Sequence, residues 1–285
     1  MKNLKECLFY EKKEEGKVRC TLCPHYCLIK NGGIGFCNAR YNDSGVLYSK
    51  NYGIISSCGV DPIEKKPLWR FFPGSKILSI GSFGCNLKCA YCQNYSISQD
   101  CREGVYAAPE DIVDMAKNLS ENIGIAFTYN EPAIWYEFVL DTAKLNKQTG
   151  RKNVLVTNGY INKEPLEKLL PYIDAMNIDL KGFDDSFYQE MCRGRLQPVL
   201  DTILLCAGHC HIEITTLVVT DKIDNMQTIE AIAQWISKID QKIPLHLSRY
   251  FPNYHYDRAP TDIEFMKKAK NIGEKYLKYV YLGNI

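Results

Sequence analysis

Short apolar runs and longer amphipathic stretches alternate along most of the chain. Runs of strand character cover 77–80, 125–129, 154–157, 175–180, 212–219 and 244–247, with a further one at 279–282. Between them, apolar residues recur at intervals of three and four, the period of a helix. Ile229, Ile232, Ala233 and Ile236 share one such face. Phe265, Met266, Ala269 and Ile272 share another, and Trp135, Phe138 and Val139 start a third. Strands alternating with helices predict an α/β fold, a parallel sheet with helices packed outside it. A closed eight-unit barrel takes about 250 residues, roughly 31 per unit, so the stretch 75–285 has room for about six. The expected architecture is a partial (β/α)6 barrel, TIM-barrel-like but open on one side, with its ligands at the carboxyl ends of the strands.

The first quarter of the chain reads differently. Four cysteines fall between residues 20 and 37, in a stretch broken by Pro24, Gly32, Gly33 and Gly35. Turn-forming residues continue through Gly53, Gly59, Pro62, Pro67, Pro73 and Gly74. A boundary near residue 74 is therefore expected, with a Cys-rich segment at 1–74 and the core domain at 75–285.

Composition narrows the function. The chain has 285 residues, 46% of them hydrophobic, enough to bury a sizeable core. Its 35 basic and 33 acidic residues nearly cancel, so nothing favours a nucleic acid or an anionic membrane as partner. No run approaches the roughly 20 apolar residues that span a bilayer, and residues 1–17 lack a signal-peptide core. A cytoplasmic protein is expected. Disulfides are rare there, so its 13 cysteines point to metal or to chemistry.

Just past the first strand stands Gly84-Cys85-Asn86-Leu87-Lys88-Cys89-Ala90-Tyr91-Cys92-Gln93-Asn94, its cysteines spaced C-x3-C-x2-C. Three thiolates on one short loop can hold three irons of a cubane and leave the fourth iron without a protein ligand. An electron-transfer ferredoxin supplies a fourth cysteine, whereas an open metal position suits substrate chemistry. Zinc would want a nearby fourth ligand, and core cysteines need no such spacing. The motif, with the aromatic Tyr91 before its third cysteine, resembles the signature of the radical S-adenosylmethionine (SAM) superfamily. That resemblance implies an oxygen-sensitive [4Fe–4S] cluster on Cys85, Cys89 and Cys92, with SAM on the open iron. It implies an oxidoreductase that cleaves SAM reductively to a 5′-deoxyadenosyl radical, which abstracts hydrogen from its substrate. Tyr91 would lie at the cofactor, and no catalytic side chain is implied beyond the cluster and SAM. A SAM-dependent methyltransferase of the doubly wound kind would need a Gly-rich loop after its first strand, and none occurs.

The ends of later strands carry groups suited to SAM. Thr128-Tyr129-Asn130-Glu131-Pro132 resembles the superfamily's Gly-Gly-Glu-Pro, with Glu131 as acceptor for the SAM amine. Tyr129 and Asn130 replace the two glycines, which puts the backbone role of those glycines in doubt. Thr157 and Asn158 end the third strand within reach of a ribose or carboxylate. Asp179 and Lys181 share one side of the fourth by period-two alternation, and they resemble the Asp-x-Lys with which glycyl-radical activating enzymes contact SAM. By analogy with the same subgroup, His246 on the sixth strand would face the SAM carboxylate. Each has a plainer reading: a helix start, a turn, an ion pair, a satisfied core histidine.

Cys20, Cys23, Cys27 and Cys37 have the spacing C-x2-C-x3-C-x9-C among glycines. Four thiolates suit structural zinc, or an auxiliary [4Fe–4S] cluster, and the spacing does not decide the metal. Cys206, His209, Cys210 and His211 look tempting but end a helix, where a buried Cys and a terminal His are ordinary. Cys7, Cys58, Cys101 and Cys192 carry no ligand spacing.

The blocks 19–37, 61–68, 73–75 and 84–94 together resemble the radical SAM component of the AmmeMemoRadiSam system, a branch akin to pyruvate formate-lyase activating enzyme. This implies reduced flavodoxin or ferredoxin as electron donor and partner proteins of that system, and leaves the substrate open. Two alternatives stand beside a general radical SAM enzyme. One is a glycyl-radical enzyme activase. The other is a non-enzymatic zinc-ribbon binding protein with an inert barrel.

Overall fold

The computed structural model describes residues 4–100 and 104–285; Cys101 lies outside them. One eight-stranded sheet dominates. Its strands are β1 (Ser57–Pro62), β2 (Lys76–Gly81), β3 (Asn122–Phe127), β4 (Lys152–Thr157), β5 (Ala175–Asp179), β6 (His211–Val218), β7 (Leu245–Arg249) and β8 (Val280–Gly283). They neighbour one another in chain order. β1 runs antiparallel to β2, and every later pair is parallel. β1 and β8 do not pair, so the barrel is open. Helices α1 (Pro109–Asn118), α2 (Tyr136–Gln148), α3 (Lys163–Leu169), α4 (Gln197–Ala207), α5 (Met226–Ile239) and α6 (Ile263–Gly273) fill the six crossovers. The six expected units are present, and the run at 279–282 is the strand that follows them.

Helical faces fall where the periodicity puts them. α5 buries Ile229, Ile232, Ala233 and Ile236, and Asn225 caps it by accepting the Thr228 N–H. α6 buries Met266 and Ala269, with Asp262 as its cap. Apolar stripes with capped ends are how such helices gain most of their stability, through packing rather than propensity.

The residues ahead of 74 do two things for the sheet. β1 is its edge strand, so the sheet starts before that position. Beyond β1, Ile63, Leu68 and Phe71 pack on Ile77, Val154 and Ala175, in the first halves of their strands, and on Ala126 of β3. Asn177 donates to the Pro67 carbonyl, and the Glu213 carboxylate accepts the Trp69 and Arg70 N–H groups. This segment thus plugs the amino end of the barrel and leaves the carboxyl end open.

Residues 4–49 form two small antiparallel sheets against α2. Cys7, Phe9, Val18, Leu22, Ile29 and Leu47 join the main hydrophobic core. A buried ion pair, Arg40 to Glu137 at 2.7 Å, ties this layer to α2. No described helix is long and apolar enough to cross a membrane.

Candidate functional site

At the carboxyl ends of the strands lies a cavity with about 1250 Å3 of atom-free space, its mouth included. Cys85, Cys89 and Cys92 all line it, because β2 ends at Gly81 and the chain turns directly into their loop. Gly84 takes φ +88°, and a Cβ there would sit 2.5 Å from the Cys37 carbonyl oxygen, so only glycine fits. The far side of the loop is tied to a π-helical turn at Tyr188–Cys192. Lys88 donates its N–H to the Cys192 carbonyl and Ala90 to that of Met191.

Each thiol on the cavity has a polar neighbour. Cys85 Sγ accepts from the Leu87 N–H at 3.3 Å and from Asn158 Nδ2 at 3.6 Å. Cys92 Sγ lies 3.2 Å from Ser98 Oγ. Burial pushes the Cys85 and Cys92 thiols above the ordinary range. Metal loading must therefore displace their protons.

Cys192 was not signalled by spacing, yet its fully buried thiol lies against Cys89 and 3.3 Å from the Tyr91 hydroxyl. It is absent from the cavity wall. Three cysteines face the open space and the fourth stands behind them, which fits a cubane with one free iron. Tyr91 lines the cavity and holds this inner thiol.

Glu131 is 2% exposed at the end of β3. Oε1 accepts the Thr157 hydroxyl at 2.6 Å and the Ala133 N–H at 2.8 Å, while Oε2 accepts the Asn158 N–H at 2.8 Å. Burial pushes its carboxyl up to about 7, against the pull of those donors. A carboxylate offers about four acceptor positions, so one is left for a ligand. Asn158 also reaches Asn86 Oδ1 at 2.9 Å, linking the acid to the cysteine loop.

Tyr129 answers the doubt over the missing glycines. It adopts φ +70°, the left-handed backbone that glycine favours. Its hydroxyl donates to Asp61 at 2.9 Å, and the Lys66 ammonium stands 4.7 Å from its ring centre. Asn130 accepts the Ser82 N–H and donates to the Gly84 carbonyl, so it braces the cysteine loop.

Asp179 and Lys181 form an ion pair at 2.8 Å on the cavity wall. Burial would favour a neutral Lys181, but Asp179 and the nearby thiols hold it charged, well above its ordinary range.

His246 is placed elsewhere. Its Nε2 donates to Glu213 Oε2 at 2.6 Å, and its ring packs near Trp69 of the plug and Tyr281 of β8. Ser248, two residues on, lines the cavity instead. In the strand's alternation His246 thus lies on the inner face one step deeper than Ser248, held by Glu213.

Spacing also missed Lys65 and Lys66, which line the cavity opposite the strands. In the sequence they appear only within the block 61–68, with no role attached to them. Cys206 contacts Met176, and His209 bonds the Leu205 carbonyl, as residues at a helix end do.

An open parallel barrel with three cysteines on the loop after its first parallel strand defines the radical SAM class of enzyme. Residues 79–236 match the radical SAM superfamily, and the chain belongs to it. An uncharacterized protein of Methanocaldococcus jannaschii is 44% identical over 99% of this chain and 86% of its own length. A putative glycyl-radical enzyme activating enzyme of the same organism is 29% identical over 71% of this chain and 79% of its own. Pyruvate formate-lyase-activating enzyme of Clostridium pasteurianum is 26% identical over 68% of this chain and 87% of its own. Among solved structures, Streptococcus suis SuiB bound to its precursor peptide SuiA has TM-score 0.58 at 15% identity, over 71% of this chain and 47% of that one. The likeness to SuiB is one of fold. The chain is a radical SAM enzyme akin to pyruvate formate-lyase-activating enzyme.

Proposed function

We propose that Cys85, Cys89 and Cys92 hold a [4Fe–4S] cluster and that SAM binds the same cavity to serve hydrogen abstraction from a substrate. The observation that carries this reading is the single cavity that gathers the three thiols, Glu131, Asn158 and the Asp179–Lys181 pair. When bound, the cluster and SAM supply one-electron cleavage and a hydrogen-abstracting radical. The chain's own residues bind and orient. Glu131, set in place by Thr157, Ala133 and Asn158, accepts from the SAM amine with its remaining position. Asp179 and Lys181 present one charge of each sign to polar parts of SAM. Tyr91 and the plug keep the inner wall dry.

Anaerobic incubation of iron-loaded protein with SAM and dithionite tests the reading. The wild type is expected to form 5′-deoxyadenosine and the Cys85/Cys89/Cys92→Ala variant none. Absence of any cluster on those cysteines would sink the proposal.

A narrower reading has the enzyme act as an activase, abstracting hydrogen from a glycine of a partner. The names of two relatives favour it. The partner would dock at the barrel's open mouth, and a low-potential donor of the flavodoxin or ferredoxin kind would reduce the cluster. A protein-based radical signal on a candidate partner is the expected result. The first quarter of the chain, 1–74, is proposed as a metal-binding segment on Cys20, Cys23, Cys27 and Cys37, and the cytoplasm as its location.

A further inference from the structure

We infer that the outer face of the cysteine loop, with the small sheets packed beside it, is the docking surface for an acidic electron-transfer protein. This rests on the reading of Cys85, Cys89 and Cys92 as cluster ligands and names the side from which the electron reaches them. Arg19, Lys88 and Arg195 supply the charge of this surface, around the exposed side chains of Tyr26, Leu28 and Phe36.

Contacts join these residues into one patch. Lys88 Nζ stands 5.3 Å from the centre of the Phe36 ring. Phe36 packs on His25 with 4.4 Å between ring centres, and His25 Nε2 donates to the Asn86 carbonyl of the cysteine loop at 2.7 Å. Arg195 donates to the Pro24 carbonyl at 3.1 Å, and Arg19 to that of Tyr26 at 3.5 Å. Leu28 lies directly across the strand pair from Arg19. Aromatic rings and arginines on one rigid support are what protein interfaces are enriched in.

The charge of the patch is open to a partner. Among the described residues, none of Arg19, Lys88 and Arg195 forms an ion pair. Glu11, opposite Arg19 in the strand pair, is taken by Lys13 at 2.6 Å. Asp185, whose charge reaches Arg195, spends its carboxylate on the Leu196 N–H and the Gln189 amide. The whole chain is nearly neutral, with 35 basic and 33 acidic residues, so steering of a partner must come from a local patch. An acidic protein is the partner that this face attracts.

Position selects the kind of acidic partner. Lys88 stands between Cys85 and Cys89 and is bonded to the latter. None of the six residues lines the cavity, which holds SAM in the proposed function and whose mouth admits the substrate. An electron that must arrive while both are in place therefore enters from the outer side of the loop. The step is one of electron transfer alone. The donor is oxidised by one electron, the cluster is reduced by one, and no bond or proton changes hands between them.

The probe is the hydroquinone of a purified acidic flavodoxin, mixed without oxygen with the cluster-loaded chain while the visible absorbance of the cluster is followed. The wild-type rate is expected to fall at least about tenfold from about 0.05 M to about 0.5 M salt, as steered encounters do. Lys88→Gln/Arg195→Gln should be about tenfold slower at low salt and equal to the wild type at high salt. Lys88→Arg/Arg195→Lys should keep the wild-type rate, and Lys267→Gln/Lys270→Gln on α6 should change nothing. Photoreduced deazariboflavin, small and uncharged, should reduce the cluster of every variant equally, which shows that each is folded and loaded. The single variants Lys88→Gln and Arg195→Gln serve where the double one does not load. An unchanged rate in Lys88→Gln/Arg195→Gln, an equal loss in the α6 variant, or reduction without salt dependence would overturn the inference. In those cases 5′-deoxyadenosine formed with deazariboflavin would still support the SAM site. A reducible cluster on a chain that binds no labelled SAM would overturn the SAM-site reading alone, and absence of the cluster would overturn both.

Discussion

Two buried acids carry opposite pH signatures. Glu131 has a folded-state pKa raised from 4.5 to about 7 by burial. Ionising it costs the folded state more than the unfolded one, so stability falls as pH rises from about 4.5 through 7. The shift corresponds to about 3 kcal/mol. The unliganded wild type is expected to lose thermal midpoint between pH 5 and 7.5 relative to Glu131→Gln; parallel curves would contradict this. Under the proposed function the same variant binds SAM at least about tenfold more weakly, one good hydrogen bond to a charged group being worth about 1.5–3 kcal/mol. Burial alone would raise Glu213 too, but His211, His246 and the Arg70 N–H hold it at about 2. Its contribution is full above about pH 4.5 and is lost as pH falls toward 2. Glu213→Gln is expected to cost about 3 kcal/mol at pH 7, with the gap from wild type closing on acidification. Urea unfolding at pH 7 and pH 3 would measure it, and a constant gap would show that the plug does not depend on this charge. Tyr129 is a further lesson at this scale. A residue can occupy the left-handed backbone at roughly 1–2 kcal/mol when its side chain gains Asp61 and Lys66 in return.

Among the elements, the cysteine loop depends on two supports that lie far away in sequence. Gly84 supplies one. Gly84→Ala combines positive φ with a 2.5 Å clash on the Cys37 carbonyl, whereas Gly74→Ala has φ +83° and nothing within 4 Å. The second variant should cost only about 1 kcal/mol. The first should cost more and release iron several-fold faster to a chelator, and equal behaviour would deny the loop this tight seat. The π-helical turn supplies the other support. Since Cys192 stands behind the cavity wall, Cys192→Ala should keep the iron count and visible absorbance that Cys89→Ala loses. Loss of cluster in Cys192→Ala would make that thiol a fourth ligand and close the open iron. The plug between β1 and β2 is an element that periodicity did not suggest, because its residues have neither helical nor strand spacing. Ile63, Leu68 and Phe71 become core only once a barrel interior exists to receive them.

Across the whole molecule, the parallel sheet was legible because each strand carries its own apolar run and each helix its own stripe. Such local patterns survive without knowledge of neighbours. The spacing of Cys85, Cys89 and Cys92 was legible for the same reason, since all three ligands lie on one loop. Glu131 and the Asp179–Lys181 pair could be placed because they end strands, where a parallel barrel gathers its ligands. What stayed hidden depends on which distant residues meet. The alternation along β7 puts His246 on the inner face, but only the register with β6 and the position of the plug assign it to Glu213 rather than to the cavity. Cys192 lies 100 residues past Cys92 and reaches Cys89 only through a π-turn. Lys66 reaches the cavity from a segment that looked like a separate appendage. The sequence by itself therefore determined the sheet, its helices and the three thiols on their loop, since local spacing encodes each of these. Only the tertiary structure decided which face of the barrel is plugged and which thiols meet the open space. Those depend on contacts between residues far apart in the chain, which no local period records.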